Sequence, residues 1–194
     1  MTGTKFFKPY LFLGLALLLA VVVLWVERPD SFHKGDREEI QLFPKFQATE
    51  VARIEIERLS NGVQLEREGA DWKATQWPVE PQRMSFIADD GKVGLALDRV
   101  VDLVGTSIVS KNPQKHIQFE VNNIGVQVRL FDAAGKGLAH FYIGKPGPDF
   151  TSSYVRKEGE DVVYLTPASL RGIFATDLES WKKPEPKEEE GKKK

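Results

Sequence analysis

Histidine and cysteine are the side chains that most often carry metal-binding or nucleophilic chemistry. This chain contains three histidines, His33, His116 and His140, and no cysteine. The histidines are far apart in sequence, and no two have the helical i, i+4 spacing that a zinc site uses. We therefore predict neither a metal site nor a cysteine nucleophile.

Two short segments contain residue types found in ligand-binding loops. Asp89-Asp90-Gly91-Lys92 has adjacent carboxylates but lacks the alternating ligands and the distal glutamate of a calcium loop, and Asp89 is better placed to cap a helix. Gly144-Lys145 follows a predicted strand but lacks the spacing and the hydroxyl residue of a phosphate-binding loop. We predict no catalytic residue and no cofactor, and therefore a protein that is not an enzyme.

The loop Gly144–Phe150 is nevertheless the most distinctive loop in the chain, because two prolines preset its backbone. A preset loop loses less entropy on docking. Phe150, and Tyr154 and Arg156 in the predicted strand that follows, are residue types enriched in protein interfaces. We predict that these three residues bind a partner. The alternative is that Phe150 and Tyr154 are ordinary core residues.

An apolar segment near the N-terminus predicts a membrane anchor. No residue from Pro9 to Val26 is charged, and a helix of that length spans about 27 Å, close to the hydrocarbon thickness of a bilayer. Lys5 and Lys8 precede it and mixed charges follow, which predicts a cytoplasmic N-terminus. The alternative is a cleaved signal peptide, but no small residue suited to cleavage follows Trp25.

These features divide the chain into five predicted parts. Residues 1–8 are a cytoplasmic N-terminus, 9–26 a transmembrane anchor and 27–45 a linker. Residues 46–181 form one extracytoplasmic α+β domain, and residues 182–194, rich in Lys, Glu and Pro, are a disordered charged tail. The prediction is a single-pass protein of the inner (cytoplasmic) membrane with a periplasmic domain.

The first half of the predicted domain is a meander followed by a helix. Ile54 and Ile56 alternate with charged residues, which predicts a half-buried strand, and Asn61-Gly62 predicts the hairpin turn after it. A helix capped by Asp89 is expected to end at Gly105. Its apolar stripe is formed by Val93, Leu97, Val100, Val101 and Val104.

The second half shows a similar order of elements. Alternation predicts strands around residues 126–130, 138–143, 152–157 and 162–165, followed by a short helix at Pro167–Ala175. We predict an antiparallel sheet with helices packed on one face. Whether two meander-plus-helix units arose by duplication stays open, because the two halves share little residue identity.

Seven short segments are informative through their order and spacing: Leu42–Pro44, Val51–Ile56, Ala70–Trp72, Ala88-Asp89, Tyr142–Lys145, Ser153–Arg156 and Val163–Leu165. Together they resemble the membrane-anchored domain-of-unknown-function family numbered forty-three forty over nearly the whole chain. The family has no established reaction. Some relatives are encoded beside, or fused to, ABC-type export systems, including ones tied to gliding motility, so the resemblance implies a membrane-complex partner. The fused relatives are much larger than this chain.

Charge and anchoring limit the expected partners. A net charge of −1 provides no basic surface for nucleic acid, so the expected partners are the lipid bilayer, through residues 9–26, and a protein of a membrane complex. The predicted function is a membrane-tethered extracytoplasmic interaction module, accessory to a membrane or envelope complex such as an ABC-type exporter. Two alternatives stay open: an enzyme that acts on an envelope polymer through strand-borne carboxylates, and a small solute-binding domain.

Overall fold

The computed structural model describes residues 18–19, 39–77 and 84–184. The predicted anchor, residues 9–26, lies outside these ranges except for Leu18 and Leu19, and most of the predicted tail also lies outside them. No helix within the described ranges is long and apolar enough to cross a membrane. The described residues 39–77 and 84–184 belong to one compact unit.

The described part of this unit is dominated by one antiparallel sheet of nine strands, in the order β5-β4-β3-β2-β8-β9-β10-β11-β7. Two further short strands, β1 and β6, pair with each other. The strands are β1 (Ile40–Gln41), β2 (Val51–Arg58), β3 (Asn61–Glu68), β4 (Asp71–Trp77), β5 (Ser85–Ile87), β6 (Val104–Gly105), β7 (Ser107–Ser110), β8 (Val126–Asp132), β9 (Gly137–Pro146), β10 (Ser153–Lys157) and β11 (Val163–Thr166).

The two faces of the sheet differ in polarity because apolar and polar residues alternate along the central strands. Ile54 of β2 lies opposite Leu65 of β3 and Leu130 of β8, and all three are buried in the core. The intervening residues, such as Glu55, point to the other side, here called the open face. The expected sheet-rich α+β fold is therefore present, with one apolar face and one polar face.

Helix α1 (Asp90–Val101) covers part of the apolar face. The Oδ1 atom of Asp89 accepts hydrogen bonds from the backbone N–H groups of Gly91 (2.9 Å) and Lys92 (3.4 Å), which confirms the predicted cap. Val93, Ala96, Leu97 and Val100 are buried. The helix ends earlier than predicted, because Val104 and Gly105 belong to β6 and pair with β1.

The helix predicted at Pro167–Ala175 is wrong. The chain there forms one hydrogen-bonded turn, in which the N–H of Phe174 donates to the carbonyl of Leu170 at 3.0 Å, and no helical residue is present between Pro167 and Ala175. Leu170, Phe174, Leu178 and Trp181 are buried in the same core as α1. The second meander is therefore followed by no α-helix but only by the 3-10 helix Glu179–Trp181, and the meander-plus-helix repeat is not present in this form.

A second and much shorter helix, α2 (His116–Phe119), lies on the open face. The prediction that helices pack on one face only is therefore wrong. Its Phe119 ring lies 4.8 Å from the ring of Tyr154, and Tyr154 is on the opposite side of β10 from the core residue Val155. Gly144 permits this approach, because a Cβ atom there would lie 2.1 Å from the carbonyl oxygen of Phe119.

The first hairpin turns two residues before the predicted Asn61-Gly62. Arg58 pairs with Asn61, so Leu59 and Ser60 form the connection, and Leu59 has a positive φ of 56°. Gly62 is required for a different reason: a Cβ atom at this position in β3 would lie 2.5 Å from the carbonyl oxygen of Ile56.

The folded region also begins earlier than predicted. The expected linker, residues 27–45, overlaps β1, and the side chains of Leu42 and Phe43 belong to the core. At the other end, Lys182 forms a β-bridge with Ala88, so the chain remains paired one residue beyond the predicted domain limit.

Candidate functional site

Two carboxylates on the open face, Glu55 and Glu57, lie beside arginines. Arg129 reaches Glu55 through Nε at 3.1 Å and Glu57 through Nη2 at 2.9 Å, and Arg53 lies 3.3 Å from Glu55. The Nε atoms of both arginines are at ion-pair distance but are not aligned for a hydrogen bond. Because Glu55 and Glu57 each have an arginine beside them, these two carboxylates are suited to holding the open face together rather than to proton transfer.

His140 lies beside this network on β9. The side-chain amide nitrogen of Gln127 is 2.6 Å from Nε2 of His140, and an amide donor there requires an unprotonated Nε2. Burial lowers the pKa of His140, and Arg129 and Arg156 lower it further, against an opposing effect of Glu158. Burial also raises the pKa of the neighbouring Tyr142, helped by a hydrogen bond to Glu158. Both groups are therefore held uncharged.

The depressed pKa of His140 predicts a pH-dependent stability. The neutral ring is favoured in the fold, so its contribution is complete above the unfolded pKa of about 6.5 and is lost as pH falls below that value towards the folded pKa. The melting temperature should therefore fall between pH 7 and pH 5, and the His140→Gln variant should show a shallower fall. Equal slopes for the two proteins would assign the titration to other groups.

Arg156, one of the three predicted partner-binding residues, is buried with 9 % exposure. Its Nε donates to the carbonyl of Val121 at 2.8 Å, and its Nη1 donates to the carbonyls of Glu160 (3.0 Å) and Lys157 (3.2 Å). The guanidinium also lies 4.4 Å from the ring centre of Tyr142. The Nε and Nη1 donors of Arg156 are therefore used within the domain, and Nη2 lies 3.7 Å from Glu158.

Tyr154, the second predicted residue, is half-buried against Phe119 of α2. The Nζ of Lys145 lies 5.7 Å from the Phe119 ring centre, so the three side chains form a small packed group beside Gly144. Tyr154 thus helps to hold α2 against the sheet.

Phe150, the third predicted residue, is 80 % exposed, so the alternative that it is a core residue is wrong. It lies at the tip of the β9–β10 loop with a positive φ of 59°, which is rare for a bulky residue. Its N–H donates to the carbonyl of Gly147 at 3.1 Å. The ring is held out from the surface by a backbone conformation that the rest of the loop must stabilise.

Asp149 stabilises that conformation. Its Oδ1 accepts hydrogen bonds from the N–H of Thr151 (3.1 Å), from the N–H of Ser152 (2.8 Å) and from the Ser152 hydroxyl. The Ser152 hydroxyl is the main reason that the pKa of Asp149 is lowered. Gly147 completes the turn, because a Cβ atom there would lie 1.9 Å from Oγ of Ser152. The loop that carries Phe150 is therefore rigid.

A shallow groove lies at the opposite end of the β9–β10 pair. It has a volume of about 360 Å³ and is lined by both apolar and charged residues. The sequence pattern gave no signal for it, because its residues come from four separate segments of the chain. The apolar lining residues include Leu42, Phe43, Pro44, Phe131 and Leu138, and the charged and polar ones are Arg129, His140, Lys157, Glu158 and Glu160.

The described residues contain no group of three or more His, Asp or Glu side chains arranged to hold a metal ion. His116 has Nε2 2.9 Å from the carbonyl oxygen of Asp161 and is far in sequence from the His140 network. His33 lies outside the described ranges. The structure therefore brings together Gln127, His140 and Tyr142, and keeps the partner-binding candidates Phe150 and Arg156 in different environments.

The fold and these surfaces define a small sheet-rich α+β domain with a polar, internally paired open face and a rigid aromatic loop. The chain belongs to the DUF4340 family, described as a domain of unknown function, whose profile matches residues 77–193. The resemblance inferred from the sequence is confirmed for this region, whereas β2, β3 and most of β4 precede it. No curated protein and no solved structure gives a significant match.

Proposed function

We propose that this protein is a membrane-tethered extracytoplasmic interaction module, accessory to a membrane or envelope complex such as an ABC-type exporter. The observation that carries the proposal is the presentation of Phe150, which is 80 % exposed on a loop fixed by Asp149 and Gly147. A rigid, exposed aromatic side chain pays little entropy on docking and is typical of an interface anchor.

The open face favours this function over the enzymatic alternative. An enzyme acting on a polymer through two carboxylates needs them free on either side of a cleft. Glu55 and Glu57 instead share Arg129, at 3.1 and 2.9 Å, on a strand in the middle of the sheet. Their charges are compensated within the domain, which supports a structural role for this pair.

The membrane tether in the proposal rests on the uncharged segment from Pro9 to Val26 and on the lysines before it. A tether concentrates the domain at one membrane surface and raises the effective concentration of any partner embedded there. A single exposed anchor residue is then sufficient for a useful interaction, even where the same contact would be weak in solution.

The proposal is tested by comparing Phe150→Ala with Leu59→Ala in the full chain. Leu59 is a matched control because it is also exposed and has a positive φ of 56° in a turn. Both substitutions remove exposed side chains and should change stability by no more than about 0.5 kcal/mol. Proteins that co-purify with the wild-type chain from mildly solubilised membranes should be lost with Phe150→Ala and retained with Leu59→Ala.

Two results would contradict this function for the loop. If the co-purifying proteins were retained with both variants, the interface would lie elsewhere. A loss of several kcal/mol of stability in Phe150→Ala alone would mean that the ring is packed and not available to a partner.

A further inference from the structure

Strand β5 (Ser85–Ile87) is the last strand at one edge of the nine-stranded sheet. The N–H of Ala88, the next residue, donates to the carbonyl of Trp72 on the β4 side at 2.7 Å. Inward and outward backbone groups alternate along an antiparallel strand, so the N–H and C=O groups of Ser85 and Ile87 point away from β4. No other strand within the described ranges lies on that side, and the edge therefore presents the backbone groups of these two residues.

The C-terminal segment already reaches the outer side of this edge. Lys182 forms an antiparallel β-bridge with Ala88. The N–H of Asp89 donates to the carbonyl of Trp181 at 2.8 Å, one residue to the side of the bridged pair. This is the pattern of a non-hydrogen-bonded pair in an antiparallel ladder. The next pair in the same register is then a hydrogen-bonded one, and the chain after Lys182 is directed along β5.

The register of this bridge matches the groups that β5 presents. One residue further, Lys183 comes opposite Ile87, and two residues beyond that, Glu185 comes opposite Ser85. These are the positions at which the two residues of a pair exchange N–H···O=C hydrogen bonds. A shift of one residue would bring Pro184 opposite Ile87 instead, and proline has no N–H to donate.

Prolines alternate with the pairing residues, at Pro184 and Pro186. In this register their backbone nitrogens lie on the side away from β5, which is where an edge strand tolerates proline. Pro184 comes opposite Phe86, whose ring packs against the core, so an apolar residue meets an apolar one. The outer side of such a strand lacks N–H donors at both prolines and is a poor template for another chain.

We propose that residues 183–187 add to β5 as a further antiparallel strand and close this edge of the sheet. The described part of the chain ends at Pro184, beside β5, and the residues that complete the strand follow directly in the sequence. The inference is independent of Phe150 and goes beyond the proposed function. A closed edge excludes partners that bind by strand addition at β5.

The test is hydrogen exchange of the full chain in mild detergent, measured by mass spectrometry of peptides that cover β5. The amide hydrogens of Ser85 and Ile87 should exchange slowly, in addition to those that face β4. Ending the chain after Lys182 should cost about two protected hydrogens in these peptides, because both amides lose their acceptors. Ending it after Lys187 should leave the count unchanged. Peptides from β2 should be unaffected in both, which shows that the domain remains folded.

Glu185→Pro and Glu188→Pro make the same chemical change inside and outside the proposed strand. Glu185→Pro removes the N–H that faces the carbonyl of Ser85 and should cost about one protected hydrogen at β5, whereas Glu188→Pro should cost none. Equal effects of the two prolines would overturn the proposal. Fast exchange of Ser85 and Ile87 in the full chain would also overturn it. Protection that survives ending the chain after Lys182 would have the same consequence, because another segment would then cover the edge.

Discussion

Replacement of Trp181 by alanine is expected to lower the free energy of unfolding by about 3–5 kcal/mol, the usual cost of removing a buried tryptophan. Trp181 is 1 % exposed, and its indole N–H donates to the carbonyl of Ala175 at 2.9 Å. The substitution leaves a cavity in the core and an unpaired carbonyl. For a domain of this size the melting temperature should fall by about 10 °C or more.

The position of Trp181 explains why one side chain so near the end of the described chain has this effect. Its carbonyl accepts a hydrogen bond from the N–H of Asp89 at 2.8 Å, and Lys92 donates to the carbonyl of Ser180 at 2.7 Å. The C-terminal segment is thereby fastened to the start of α1, where Asp89 is the cap. Loss of the indole should therefore loosen α1 as well as the segment itself.

Trp77→Ala is the matched control, because it removes the same side chain from the end of β4, where the residue is only half-buried. Thermal unfolding of a fragment that begins at Glu38, followed by near-ultraviolet circular dichroism, compares the two variants. A melting temperature for Trp181→Ala no lower than that for Trp77→Ala would mean that the C-terminal segment does not contribute to the core.

Features set by neighbours in sequence were predictable. The alternation around Ile54 and Ile56 identifies a half-buried strand because side chains of a strand point alternately to its two faces. Asp89 identifies the start of α1 because a cap acts on N–H groups two and three residues away. The family resemblance was also carried by such local segments, and the match from residue 77 onwards confirms it.

Features set by distant contacts were not predictable. β7 joins the sheet by pairing with β11, more than fifty residues later, and nothing in the sequence of β7 specifies that partner. The approach of α2 to the open face depends on the absence of a side chain at Gly144. The short pair of β1 with β6 shortens α1 at its C-terminal end, against a continuous apolar stripe that favoured a longer helix.

The candidate site also combines features that were predictable from the sequence with features that were not. The composition of the loop before β10 identified it as unusual, but the exposure of Phe150 depends on its positive φ and on the three hydrogen bonds accepted by Asp149. The burial of Arg156 depends on carbonyl groups as far away as Val121. Residue type alone led to the same prediction for Phe150 and Arg156, namely that both bind a partner. The structure shows that Phe150 is exposed whereas Arg156 is buried and hydrogen-bonded within the domain.

Replacement of Arg156 by alanine is therefore expected to destabilise the domain, by about 2–4 kcal/mol, rather than to remove a partner contact alone. The guanidinium joins the carbonyl of Val121, just after α2, to that of Lys157 at the end of β10 and that of Glu160 in the turn that follows. Without it, the carbonyl of Val121 loses its donor in a buried site, which costs about 1–3 kcal/mol, and two partly buried carbonyls lose theirs at a smaller cost. Arg156→Lys should recover little of this, because an ammonium lacks the planar fork that reaches several acceptors at once.

Arg67→Ala provides the control for the loss of an arginine. Arg67 also lies over an aromatic ring, 4.9 Å from the centre of Trp72, and approaches the carbonyls of Ala48 and Thr49 at 3.4 Å, but it is exposed. Its removal should cost less than about 1 kcal/mol, because water replaces the lost contacts. If Arg156→Ala were as mild as Arg67→Ala and still abolished co-purification, Arg156 would belong with Phe150 to the interface. A large loss of stability would separate the two residues, with Arg156 holding α2 on the open face and Phe150 free to engage a partner.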